Sequence, residues 1–137
     1  MHQTRQEQGN AAIEFVLIFP LLLVVLCIVI GFDRMAHARH LVEGSATDAA
    51  RAASLERNTS LSTAAAVSAA HRSLDDGGLA CQDLAIDVDI SQYRPGGAVT
   101  VTLRCTAALG DVAIAGLPGH RVFEAHASVP IEKWRSA

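Results

Sequence analysis

QGNAAIEFVLIFPLLLVVLCIVIGF, residues 8–32, decides how the rest of this chain is read. From Phe15 to Phe32 it runs 18 residues without a charge. At about 1.5 Å of rise per residue, an α-helix of that length spans roughly 27 Å, close to the hydrocarbon thickness of a bilayer. A helix at the edge of a soluble core keeps a polar face, and this run has none. It is therefore expected to enter a membrane. Pro20 fits, because membrane helices tolerate proline better than soluble ones. It leaves the carbonyl of Val16 without its usual helical donor. Glu14 stands at the entrance, just before Phe15. An acid in a span is costly and marks a functional position, unless it only rests among the headgroups.

The flanks orient the run weakly. Arg5 precedes it, and Asp33, Arg34 and Arg39 follow, so the positive-inside count is ambiguous. Cysteine usage points to an exported C-terminal part. Cys27 lies within the apolar run and acts there as a small hydrophobe. Cys81 and Cys105 flank a stretch that reads as β-structure, and two such cysteines fit one disulfide in an oxidising compartment, rather than two reduced buried thiols. Ala36-His37-Ala38 has the form of a signal-peptidase site. The apolar run is long for a signal peptide, however, and Asp33 and Arg34 crowd the approach.

The 137 residues carry a formal net charge of −3, and Lys133 is the single lysine among 11 basic residues. The arginines are dispersed with no basic stripe, which argues against a nucleic-acid partner. Half the residues are apolar but only 4% are aromatic, so the core outside the run is small. Such cores often need a staple or a partner.

Past the run, Leu41, Ser45, Ala49 and Ala52 recur at helical spacing, with Val42, Ala46 and Ala53 beside them. The helix is expected to continue as an amphipathic segment with a seam of small residues. That seam suits either a packing face in an assembly or this chain's own second helix. Arg57-Asn58-Thr59-Ser60 is a break, and Ser62 or Ser60 is expected to cap a second helix reaching about Leu74. Asp75-Asp76-Gly77-Gly78 ends it. The period then becomes two. Leu84, Ile86, Val88 and Ile90 alternate with Asp83, Ala85, Asp87 and Asp89, and Val99, Val101, Leu103 and Cys105 alternate with Thr100, Thr102, Arg104 and Thr106. Around Arg94-Pro95-Gly96-Gly97 these form an antiparallel hairpin with one wet face. Its pairing brings Cys105 near Cys81 and permits the bridge. After a loop with Gly110, Gly116, Pro118 and Gly119, a third strand covers about 122–131, with Phe123, Ala125, Ala127, Val129 and Ile131 on one face.

Chemistry-bearing constellations are weak. Asp33, His37 and His40 could share a helix face, but nothing completes a metal-ligand motif. Asp83, Asp87 and Asp89 read as the solvated side of a strand rather than a calcium site. No nucleophile–base pair has motif context. The expectation is no enzyme, no metal and no cofactor.

Gly9-Asn10-Ala11-Ala12-Ile13-Glu14-Phe15 resembles the class III signal of type IV pilin-like proteins, and the continuation through Pro20 to Leu23 is similar to the TadE-like family of minor pilins and pseudopilins in Tad/Flp pilus systems. The likeness covers about residues 8–53. More weakly, Gly77-Gly78-Leu79-Ala80-Cys81, Tyr93 to Val101, Cys105 and Gly116-Leu117-Pro118-Gly119 resemble the outer domain of actinobacterial members. The resemblance implies a prepilin-type leader at 1–9, a transmembrane and extended helix at 10–57, and a small exported α+β domain at 58–137. It implies cutting by a prepilin peptidase between Gly9 and Asn10, although this leader has one Arg and no Lys. It implies that Glu14 meets the N-terminal amine of another subunit, and that the partners are the membrane, other pilin-like subunits and an assembly platform. The expected fold is α+β and pilin-like, with a long N-terminal helix, a second helix and a three-stranded antiparallel sheet. Two other readings stand beside it: an untrimmed single-pass protein with a partner-binding outer domain, and a secreted domain released after Ala38.

Overall fold

The structure, a computed structural model, describes residues 4–108 and 119–134, with only the backbone described for residues 4–10. The expected motif at Gly116-Leu117-Pro118 therefore lies outside the described residues. The element order is α1 (Thr4–Leu55), α2 (Thr59–Asp76), β1 (Cys81–Asp89), β2 (Ala98–Ala108) and β3 (His120–Pro130). The class is α+β, with two helices and one three-stranded antiparallel sheet. The chain divides into two compact units, Met1–Ala36 and His37–Ala137.

In the first unit, the side chains from Ala11 to Ile30 are all exposed, and Phe32 is exposed as well. None of the apolar window is buried within the protein. An apolar helix with no protein around it and no charge from Phe15 to Phe32 fits a single membrane pass. Pro20 sits inside the helix.

In the second unit, the C-terminal part of α1 and α2 form an antiparallel helical hairpin. Leu41 lies against Gly77, the Ser73 hydroxyl donates to Asp48 Oδ2 at 2.9 Å, and the Ser62 hydroxyl donates to the Ala53 carbonyl at 2.9 Å. The small-residue seam thus meets its own chain. Ala46, Ala49, Ala50 and Ala53 are fully buried with Ala66 and Ala70 of α2 and with the inner row of β2. Alanine at these positions lets the helices approach closely, so bulk in the core comes from the sheet.

The cap of α2 differs from expectation. Asn58 is the N-cap, and its side chain accepts from the Leu61 N–H at 2.8 Å. Ser60 only supports it, donating to Asn58 Oδ1 at 3.0 Å. Ser62 lies inside the helix and is fully buried. Asn beats Ser here because it stands where the backbone is still extended, at φ −134° and ψ 161°, and faces the free N–H groups. The helix runs to Asp76 and closes with Leu79 N–H on the Leu74 carbonyl at 3.0 Å and Gly78 N–H on the Asp75 carbonyl at 3.0 Å. Gly78 takes the left-handed conformation at φ 75° that this ending requires.

Ser45 is the exception to a satisfied interior. It is fully buried, and among the described residues its hydroxyl has no hydrogen-bond partner. A buried hydroxyl without a partner costs stability, and alanine is also the better helix former. Ser45→Ala is expected to raise stability by about 1 kcal/mol, read as a higher thermal midpoint of the full chain in detergent. A lower midpoint would show that the hydroxyl is satisfied in solution.

β2 is the central strand. It pairs with β1 as Leu84↔Cys105, Ile86↔Leu103 and Val88↔Val101, and with β3 as Phe123↔Cys105, Ala125↔Leu103 and Ala127↔Val101. Val99, Val101, Leu103 and Cys105 are fully buried. The inward partners on both edge strands are mostly half-buried, as the alternating pattern anticipates. Ile90 falls just past the end of β1 but remains half-buried.

The β1–β2 turn ties the sheet to the helices. Gly97 N–H donates to the Arg94 carbonyl at 2.8 Å, and the Gly97 carbonyl accepts from Ile131 N–H at 2.8 Å. Tyr93, half-buried in the same turn, directs its hydroxyl to the carbonyls of Ala53, at 3.1 Å, and Glu56. It thereby serves carbonyls that the end of α1 leaves free. Tyr93→Phe keeps the ring and removes this tie. A loss of about 1 kcal/mol is expected in thermal unfolding, and an unchanged midpoint would mean water replaces the hydroxyl at no cost.

Candidate functional site

Two regions carry polar groups in positions that packing alone does not explain. The first is the entrance to the apolar helix. Gly9 and Asn10 lie within α1, and Glu14 follows one turn later with its side chain exposed. Among the described residues no partner approaches its carboxylate. Phe15 and Phe19, one turn apart, stack with centroids 5.8 Å apart and planes at 27°. Together they place an aromatic pair directly behind the acid. Four residues at about 1.5 Å of rise separate Asn10 from Glu14 by roughly 6 Å along the axis, and the i, i+4 spacing puts the two positions on one face of the helix.

The second region is the outer face of the sheet. Arg104 Nη2 reaches Glu124 Oε2 at 2.7 Å and its Nε reaches the same oxygen at 3.1 Å. Glu124 Oε1 lies 3.2 Å from His126 Nε2, and His126 Nδ1 lies 3.0 Å from Thr102 Oγ1. The hydrogen bonds from Arg104, and then its charge, hold the Glu124 carboxyl below the usual carboxylate range. Any stability this gives is present above the unfolded carboxyl's pKa and fades as pH falls through the lowered value. Asp89 is also held below its ordinary value, chiefly by the backbone N–H of Ser91 at 2.9 Å.

The order hydroxyl, imidazole, carboxylate has the form of a catalytic relay. Its surroundings do not. The Arg104, Glu124 and His126 side chains are 58%, 38% and 63% exposed on an open sheet face. A relay acts in a dry pocket beside donors aimed at a developing charge. Here the residues form a ladder of cross-strand pairs.

The sulfurs of Cys81 and Cys105 are joined, with Cα atoms 5.4 Å apart. The bridge is diagonal, because a bulge between Cys81 and Asp83 sets Cys81 opposite Ala107. Asp83, Asp87 and Asp89 line the exposed side of β1. Among the described residues, no three His, Cys, Asp or Glu side chains stand close enough to share a metal ion.

The first region also carries the chain's likeness to known proteins. Residues 9–51 match the family model described as TadE-like protein. Over that stretch the chain is similar to TadE-like proteins. The TadE-like residues run from the Gly9–Asn10 bond through Glu14, Phe15 and Pro20 into the buried alanines of the hairpin. The expected actinobacterial likeness of residues 77–130 lies beyond the matched residues. Neither the search of curated proteins nor that of solved structures gave a match.

The sequence singles out Gly9, Asn10, Glu14, Phe15 and Pro20, and of its site residues the structure joins Cys81 to Cys105. Sequence reasoning did not find the Arg104–Glu124–His126–Thr102 ladder. The signal was present as charged residues at the outward positions of two strands, but it becomes readable only with the register that sets Arg104 opposite Glu124.

Proposed function

We propose that this chain is a structural minor pilin or pseudopilin of a Tad-type pilus or secretion apparatus, cut after Gly9, and not an enzyme. The observation that carries this reading is Glu14, exposed at the entrance of an uncharged, exposed helical run inside the TadE-like segment. Cutting gives Asn10 a free ammonium. In a packed assembly the Glu14 carboxylate of one subunit meets that ammonium on another. Each then offsets the desolvation of the other, and the pair fixes subunit register. The bridge between Cys81 and Cys105 supports an exported C-terminal domain.

The mature N-terminus tests the reading, by intact mass and N-terminal sequencing of protein from membranes. A start at Asn10 supports it. A start at Met1 makes the helix a plain anchor, and a start at Arg39 makes it a discarded export signal. For assembly, Glu14→Ala is expected to leave membrane insertion unchanged. Breaking a buried ion pair from one side costs about 3–5 kcal/mol. Incorporation into sheared surface material should then fall at least about tenfold. Unchanged incorporation would remove the pairing role.

A further inference from the structure

Among the described residues the sheet has two unpaired edges, and they are not alike. β1 is blunted. A bulge interrupts it between Cys81 and Asp83, and Asp83, Asp87 and Asp89 alternate along its exposed side. Two β1 strands brought together would set acid against acid. Bulges and edge charges are the devices that stop a strand from pairing again.

β3 has no bulge, and its outward row carries one acid, Glu124, rather than a repeated like charge. Its 11 residues pair with β2 in unbroken register from His120 to Pro130. It contains no lysine, and its only proline is the last residue. Among the described residues its backbone is paired on the β2 side alone. Val122 projects outward and is 59% exposed.

Charge selects how such an edge could pair with its own copy. The outward row of β3 is His120, Val122, Glu124, His126 and Ser128. Antiparallel pairing about a two-fold axis keeps outward residues opposite outward residues, so only a few registers exist. An axis at Glu124 opposes two carboxylates, and one at His126 opposes two imidazoles. An axis at Phe123 sets Glu124 against Val122, and one at Val122 sets Glu124 against His120 but overlaps only residues 120–124 of β3, whereas an axis at Ala125 overlaps the whole strand. An axis at Ala125 sets Glu124 of each copy against His126 of the other, twice, and Val122 against Ser128. On the inner face it lays Phe123 over Ala127.

We propose that β3 is a self-pairing edge, joining two copies of this chain antiparallel about Ala125 into one six-stranded sheet. The two Glu124–His126 contacts, each flanked by Arg104, set the register. The arrangement is isologous and closes at two copies. It does not depend on cutting after Gly9.

Cross-linking the full chain in detergent tests this, with Cys27→Ser as background to leave no free thiol. Directly opposed residues in an antiparallel pair have Cα atoms about 4.5–5.5 Å apart, within disulfide reach. Val122→Cys and Ser128→Cys chains are co-expressed and oxidised mildly. A disulfide-linked dimer from the mixture, and none from either variant alone, supports the pairing. Glu124→Lys should abolish that dimer, and Glu124→Lys with His126→Glu should restore it. Because the readout is position-specific, dimers held only by the apolar helices give no band. Absence of the mixed cross-link, or equal cross-linking by either variant alone, overturns the proposal.

Discussion

Removing the bridge, as Cys81→Ala with Cys105→Ala, is expected to lower the stability of the second unit by about 3 kcal/mol. The bridge spans a sequence separation of 24, and freeing that loop returns entropy to the unfolded chain. It also pins the start of β1 at the bulge, where the ladder is interrupted and regular pairing is weakest. The core it supports is small and made largely of alanines, so little else offsets the loss. For a unit of this size the thermal midpoint should fall on the order of 15 °C. Reductant added to the unmodified chain should reproduce the drop. If reductant leaves the midpoint unchanged, the bridge follows folding without stabilising it, and an oxidising compartment no longer explains its presence.

The second large effect is expected from Leu103→Ala. Among the described residues Leu103 is the largest fully buried side chain, at the middle of the central strand between Ile86 and Ala125. Most of the helix residues in the same core are alanines, which have no rotamers to swing into a vacated space. A cavity that cannot collapse costs more than the lost transfer energy alone. A loss of about 3–5 kcal/mol follows, a large share of the roughly 5–15 kcal/mol that keeps a domain folded. Denaturant unfolding of the full chain in detergent measures it. A loss below about 1 kcal/mol would mean that the helices close onto the sheet, and that the alanine seam is more compliant than its close packing implies.

Both effects rest on elements legible in the sequence. The alternation from Leu84 and from Val99 marked the inner faces of β1 and β2, and Phe123 to Ile131 marked β3. A period of two depends only on the backbone of the strand itself, so it survives without knowledge of neighbours. The uncharged run from Phe15 to Phe32 is equally local, because its length and lack of polar groups are properties of the chain. The Cys81–Cys105 bridge was legible at one remove, since a hairpin folded at Arg94 to Gly97 brings those positions near each other whatever packs beneath.

What needed the tertiary structure is whatever depends on a partner distant in sequence. Small residues at helical spacing fit a neighbouring subunit as well as α2, and only the hairpin assigned Ala46, Ala49 and Ala53 to the chain's own core. Asn58, Ser60 and Ser62 all have capping chemistry. Backbone direction gave the role to Asn58 and turned Ser62 toward Ala53. Tyr93 gave no sign that it would reach the end of α1, 37 residues earlier. The Arg104–Glu124–His126 ladder and the contrast between the β1 and β3 edges exist only once strand order and register are set. At the helix entrance the division is reversed. Glu14 and the Gly9–Asn10 bond are read from the sequence alone, because their proposed partners belong to other molecules. The sequence determined the periodicities, the apolar run and the acid at its mouth, since each is written in consecutive residues. The tertiary structure decided caps, seams and ladders, since hydrogen bonds and close packing depend on which group lies across a gap of a few ångströms.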